Sequence, residues 1–205
     1  MGDYDDLARE ILSRPPRLGG VRLVAVDGAS GAGKTILARR LALALGRQGV
    51  EAVVVHTDDL LDGWDDQTNY WPRLESQVLA PLRAGQPGGY RRYDWTAKRF
   101  GDEWVPVPAD PVVILDGFST ARAEIRPELT MAIFVSVPPT EGLQRAVARD
   151  GLALRPYLER WQRVAERYFA RDRTKELADL VVDGGARPAG VDVAVGLGEH
   201  RQSTA

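Results

Sequence analysis

The 205-residue chain predicts an α/β fold, a five-stranded parallel sheet covered by helices on both faces. The first observation behind this is a set of five apolar runs, at residues 21–26, 52–55, 112–115, 131–137 and 179–183, that are continuous rather than alternating. A strand buried on both faces needs an apolar side chain at every position, which is the situation of a parallel sheet under two helical layers. The second is that helix-compatible stretches separate the runs, among them residues 36–45, which contain no breaker before Gly46. The third is the segment Gly28-Ala29-Ser30-Gly31-Ala32-Gly33-Lys34-Thr35 between the first run and that helix. It fits the phosphate-binding pattern G-x-x-x-x-G-K-[ST] in its required setting of strand, glycine loop and helix.

Taken in order, residues 4–14 read as a short amphipathic helix stopped by Pro15-Pro16. After the first strand, the glycines let consecutive backbone N–H groups converge on an anion. The helix N-terminus adds partial positive charge and Lys34 a full one. Thr35 offers a hydroxyl to a divalent cation bridging terminal phosphates. The second strand runs into His56-Thr57-Asp58-Asp59, the third into Asp116-Gly117, the fourth into Pro138-Pro139 and the fifth into Gly184-Gly185. Ligands of open α/β sheets bind beyond the carboxyl ends of the strands, so these strand ends are the candidate site.

Asp58 is the candidate general base, a carboxylate positioned to orient a hydroxyl and accept its proton. Asp59 joins it at the acceptor, the competing reading being that one or both aspartates cap the following turn. Asp116, closing the strand beside the loop strand, is a candidate for holding a metal-bound water; an ordinary surface aspartate at a turn is the alternative. Residues 141–173 are rich in arginine. Arg145 and Arg149 share a helix face, and Arg149-Asp150-Gly151 breaks that helix. Arginines at such a break can close over phosphates. Arg160, Arg163, Arg167 and Arg171 read instead as a solvated face paired with Glu159 and Glu166.

An insertion at residues 60–110 holds eight of the fifteen aromatic residues: Trp64, Tyr70, Trp71, Tyr90, Tyr93, Trp95, Phe100 and Trp104. It reads as a helix over 73–83 and a small β-ribbon pairing 90–93 with 104–107. Its rings form either a substrate wall or the insertion's own small core.

Composition narrows the partners. Lysine and arginine total 27 against 29 acidic residues, so no net positive field favours nucleic acid or an anionic membrane. The absence of cysteine excludes disulfides and thiolate metal sites, and two histidines, His56 and His200, make a zinc centre improbable. The start of the chain lacks the features of a signal peptide, and no apolar run reaches the roughly 20 residues of a membrane span. A single domain in a soluble, cytoplasmic protein is expected, with a helix and linker over 1–20 and a polar tail over 186–205.

These residues together resemble the uridine kinase-like branch of P-loop kinases. The resemblance covers about residues 23–183 and rests on the 26–35 loop, Asp58, Tyr93-Asp94-Trp95, Leu115-Asp116-Gly117, Arg145 through Arg149-Asp150, and Ala178 through Val182. It implies a P-loop NTPase fold with a short arginine-bearing lid, ATP and Mg²⁺ as cofactors, and phosphoryl transfer to a hydroxyl of a nucleoside or similar polar alcohol. In that scheme Lys34 and Arg149 handle the charge of the transferred phosphate and Asp58 is the base. The metal falls to Thr35 and Asp116, and the nucleotide to residues 28–35 with Arg145. Tyr93 and Asp94, with Asp59, Trp95 and Lys98 beside them, line the acceptor pocket, and the loop 184–187 edges the adenine. Two departures bear on the acceptor: Lys98 stands where uridine kinases place a base-reading histidine, and Trp71 where they hold a ribose with an aspartate, leaving Asp65 or Asp66 to reach over. Arg91, Arg92, Arg99 and Lys98 keep open a nucleoside monophosphate acceptor. A nucleotide-binding regulatory module without an acceptor is the third reading, and self-association stays open. No Asn-Lys-x-Asp guanine-reading segment is present.

Overall fold

The computed structural model describes residues 3–185 and 193–194. Its first helix, α1 (Tyr4–Ser13), starts at Asp3, whose side chain accepts from the backbone N–H of Asp5 and Asp6 in a capping box. Strand β1 (Arg22–Gly28) then leads through the glycine loop into α2 (Lys34–Arg47), and β2 (Ala52–His56) returns. The insertion supplies α3 (Trp71–Leu74), α4 (Ala80–Arg83) and the hairpin β3 (Gly88–Asp94) with β4 (Arg99–Val107). The chain continues through β5 (Val112–Asp116), β6 (Leu129–Ser136), α5 (Pro139–Asp150), α6 (Arg155–Asp172), β7 (Leu180–Asp183) and β8 (Val193–Ala194).

The main sheet has the order β2-β5-β1-β6-β7-β8. Its first five strands are parallel, as the apolar runs require, and β8 adds a two-residue antiparallel partner to β7. Alternate residues of β1 serve opposite layers. Leu23 and Ala25 pack with Val113, Leu115, Leu74, Leu79 and Leu82 on the insertion side, whereas Val24 and Val26 pack with Ile11, Leu41 and Leu45 under α1 and α2. All of these are essentially inaccessible. Burying one such leucine is worth about 1.5–3 kcal/mol, which is why the continuous apolar pattern was a reliable sign.

The insertion differs from expectation in one respect. The helix foreseen over 73–83 is interrupted by a π turn at Glu75–Leu79. Pro81 has no N–H to return to the Gln77 carbonyl and its ring crowds it, so the backbone widens there. Gly88 of the hairpin lies against that same carbonyl, where a Cβ would come within 2.6 Å of the oxygen. The ribbon forms as expected, with Gly88 opposite Val107 and Tyr90 opposite Val105. Its rings fall into two groups. Tyr70 and Tyr90 are buried in the insertion-side core, while Trp64 gathers Trp95 at 5.2 Å, Tyr157 at 5.5 Å and Trp161 at 5.8 Å, tying the hairpin tip to α6. None of the described helices is long and apolar enough to cross a membrane.

Candidate active site

The site is assembled where β1, β2 and β5 end side by side. Their register sets Asp116 opposite Val26 on one flank and His56 on the other. The glycine loop leaves β1 and passes beneath α5. Gly31, at φ 74°, is held so close to Gly142 that a Cβ would fall on that residue's carbonyl oxygen. Only glycine meets both demands, a left-handed backbone and the absence of a side chain. Lys34 opens α2 and its ammonium donates to the Ala29 carbonyl at 2.9 Å, lying across the loop. Thr35, in the first turn of α2, is exposed at the helix N-terminus.

Asp58 lies in a single 3₁₀ turn, Thr57–Leu60, directly after β2. Its side chain is exposed to solvent at the tip, while the surrounding protein groups displace water from the carboxyl. That loss of water pushes its carboxyl above the ordinary value; Asp116 and Asp59 add to the rise, while Lys34 and Arg149 oppose it. The charges that shape Asp58 are therefore those of the candidate phosphate site. Arg149 closes α5 in a two-pronged pair with Asp150 at 2.6 and 2.7 Å. Asp116 is 3% exposed; its Oδ2 accepts from His56 Nδ1 at 2.8 Å, and its Oδ1 has no hydrogen-bond partner among the described residues.

Other sequence-assigned residues have structural partners of their own. Asp59 accepts from the Tyr90 hydroxyl at 3.2 Å and Arg92 Nε at 3.0 Å, fastening the 3₁₀ turn to the hairpin. Burial and the neighbouring Asp59 push the Tyr90 hydroxyl up to about 12, so it stays a donor. Asp94 accepts from the N–H groups of Thr96 and Ala97, both at 2.8 Å, so its carboxylate shapes the hairpin tip. Lys98 sits exposed at that tip with φ 54°, and Trp95 is half-exposed beside the buried Tyr93, 5.2 Å between rings. Asp66 pairs with Arg73 and accepts from the Asp62 N–H, whereas Asp65 reaches Arg160 of α6 at 2.5 Å. Arg145 pairs with Glu141 and donates to the Gly184 carbonyl at 2.5 Å, so it anchors the start of the loop after β7. Ala186 and Arg187, assigned to the adenine edge, lie outside the described residues, as does the tail at 195–205.

The sequence reading passed over two groups. Asp27, the last side chain before the loop, is wholly buried and accepts three backbone N–H groups: Gly28 at 2.7 Å, Ser119 at 2.9 Å and Ala121 at 2.9 Å. It joins the loop to the segment that follows Asp116. Burial pushes its carboxyl up to about 6, against the pull of those donors and of Lys34. The signal available was a lone acid closing an otherwise apolar strand. The second group is His56, legible only once β2 is set beside β5.

No protein-family model matches the chain. A uridine kinase of Deinococcus deserti is 28% identical over 186 residues, covering 80% of this chain and 87% of its own. Among solved structures, a possible uridine kinase from Bacillus stearothermophilus superposes with a TM-score of 0.67 at 22% identity, covering 87% of this chain and 96% of that one. The fold is that of the uridine kinase-like P-loop kinases. A proposed fructose transport system kinase from Silicibacter sp. TM1040 shares it as well, with a TM-score of 0.60, 24% identity and the same coverage of both chains. The uridine kinase-like resemblance thus extends from the loop motif to the strand order that carries it.

Proposed function

We propose that the protein is an ATP-dependent kinase of small molecules, transferring the γ-phosphoryl group to a hydroxyl of a nucleoside or similar polar alcohol. The observation that carries this reading is the set of groups brought to one edge of the sheet: the glycine loop with Lys34 after β1, Asp58 in the turn directly after β2, and Asp116 at the end of β5 between them. In the proposed reaction Asp58 accepts the acceptor's hydroxyl proton as the oxygen bonds to the γ-phosphorus. The bond to the bridging β,γ oxygen breaks and ADP leaves. Lys34 and Arg149 balance the charge spread over the transferred group. Asp59, held by Tyr90 and Arg92, keeps the hairpin against the turn that bears the base.

Thr35 and Asp116 are the residues that fit a Mg²⁺ ion. One exposed hydroxyl and one buried carboxylate oxygen lacking a partner suit a cation that takes most of its ligands from phosphates and water. When bound, the ion supplies charge neutralisation across the β- and γ-phosphates.

The acceptor side is Tyr93 and Trp95 with the rings around Trp64. Lys98 at the exposed tip argues against the pyrimidine-reading role of a histidine, and the relatives include both uridine and fructose transport system kinases by name. Sugar-like alcohols therefore belong with nucleosides in the proposed class. A nucleoside monophosphate acceptor is less well supported, because Arg92 is already committed to Asp59. The proposed partners are thus a nucleotide and a small polar acceptor, without nucleic acid or membrane, in the cytoplasm.

The test is ADP release coupled to a spectrophotometric assay across nucleosides, nucleoside monophosphates, sugars and other polyols, followed by Asp58→Asn. ADP formation is expected only with the right acceptor. The variant should lose about 10²–10⁴ in kcat, the usual worth of a positioned base, and keep its affinity for ADP. Acceptor-independent hydrolysis, or unimpaired turnover in Asp58→Asn, refutes the proposal.

A further inference from the structure

The carboxylate that closes β5 is held by a histidine to which the transfer scheme gives no task. In a parallel pair, residues at the same register send their side chains to the same face, and His56 is the register partner of Asp116. Both residues end otherwise apolar strands, so nothing else competes for either side chain within the sheet. The ring donates from Nδ1 to Asp116 Oδ2 at 2.8 Å. An ionised carboxylate only accepts, which places a ring proton on Nδ1. The other charges acting on the ring are Asp59 and Arg39.

The contrast between the two oxygens of Asp116 is informative. Oδ2 is engaged, while Oδ1 is buried and has no partner among the described residues. A simple brace between an edge strand and its neighbour does not call for this asymmetry, since five registered residue pairs already join β2 to β5 through the backbone. A buried carboxylate oxygen without a donor is costly unless it receives a cation or an ordered water. Asp116 also ends β5 at the register of Val26, two residues before the glycine loop begins, so it stands at the edge of the sheet from which the loop departs.

We infer that His56 is a positioning residue for the metal of the nucleotide complex: by engaging Oδ2 it fixes the Asp116 carboxylate and leaves Oδ1 as the oxygen offered to Mg²⁺ or to a water bound to it. The inference rests on the metal–nucleotide reading above. A short aspartate side chain has two torsions, and the His56 bond together with burial sets both. A supporting partner of this kind commonly changes metal affinity or activity by 10- to 100-fold when removed.

The experiment is calorimetric titration of ADP at a series of Mg²⁺ concentrations and in EDTA, with wild type, His56→Leu, His56→Gln and His56→Asn, each checked for folding by circular dichroism. Mn²⁺ paramagnetic resonance of the Mn·ADP complex gives a second readout that does not involve turnover. An asparagine amide nitrogen falls near the place of Nδ1, whereas a glutamine amide falls near Nε2. His56→Leu and His56→Gln should need about 10- to 100-fold more Mg²⁺ for half-maximal enhancement of ADP binding, with affinity in EDTA unchanged. His56→Asn should stay near wild type. An unaltered Mg²⁺ requirement in the leucine or glutamine variant overturns the inference, as does an equal loss of affinity with and without metal. A folded asparagine variant that behaves like leucine overturns it too. A wild type whose ADP binding ignores Mg²⁺ overturns the underlying metal–nucleotide reading instead, which separates the two failures.

Discussion

Replacing Asp27 by asparagine tests whether a buried charge beneath the phosphate loop is a cost that the fold carries. The carboxylate is fully enclosed and its pKa is raised from an ordinary 3.8 to about 6. Between those two pH values the folded protein keeps the proton and the unfolded chain releases it. The folded state then binds more protons, so stability falls as pH rises through this window, and above it the penalty is constant. Each pKa unit is worth 1.36 kcal/mol, so the 2.2-unit gap amounts to about 3 kcal/mol at neutral pH. Asparagine carries no charge and escapes this term. Its carbonyl oxygen can still accept from Gly28 and Ser119, but its amide turns a donor toward the Ala121 N–H, and an orphaned buried donor costs about 1–3 kcal/mol. The two effects nearly cancel at pH 7. At pH 4.5, where the wild-type carboxyl is mostly protonated in the folded state, only about 1 kcal/mol of the penalty is present and asparagine should be the less stable by about 1 kcal/mol, a swing of about 2 kcal/mol between the two pH values. Urea unfolding followed by circular dichroism, at intervals from pH 4.5 to 7.5, gives the difference curve. Subtracting the variant removes the other titrating groups, including His56 and Asp58. A difference that stays flat across the range shows that the three backbone donors outweigh burial and that the carboxylate is ionised throughout, refuting the argument.

Gly31→Ala should abolish measurable ADP binding while leaving much of the sheet intact. The added methyl group meets the Gly142 carbonyl in a left-handed backbone, a strain of about 1–3 kcal/mol or more concentrated in the loop; fluorescence-detected binding and thermal melting read the two effects apart. The pH dependence of kcat/KM should show an acid limb with its midpoint above 3.8, because Asp58 must be ionised to accept a proton and its carboxyl is raised by desolvation, Asp116 and Asp59. A profile flat down to that pH removes Asp58 from the role of base.

The parts of this protein legible in its sequence are those in which one local pattern has one physical solution. The glycine loop is of this kind, and so are the continuous apolar strands, since an eight-residue signature and a doubly buried strand depend on little beyond their neighbours. The π turn shows the intermediate case. Pro81 was visible inside the helix expected over 73–83, but widening rather than termination follows from packing, where the hairpin's Gly88 accepts the displaced Gln77 carbonyl at close range. Asp94 has a local role that the motif did not announce. A tyrosine-aspartate-tryptophan sequence matches an acceptor-pocket motif, and in the fold its carboxylate also caps the hairpin turn, a purely local demand.

What stayed hidden has a common cause. His56 and Asp27 carry no spacing signal because their partners, Asp116 and the segment from Ser119 to Ala121, are brought to them by strands that lie far apart in the chain. The β5 strand end is supported from both sides, by a histidine on β2 and by an aspartate on β1 that holds the loop following it. Asp116 thus ends a strand with a polar group on either side, the part-exposed His56, which bonds it, and the wholly buried Asp27, which bonds the segment after it. The His56 bond engages one carboxylate oxygen of Asp116 and leaves the other, which the metal proposal uses, without a partner among the described residues. On this view the catalytic edge extends beyond the glycine loop to the pair of strand ends that flank β5, and the Asp27 and His56 variants probe its two halves independently.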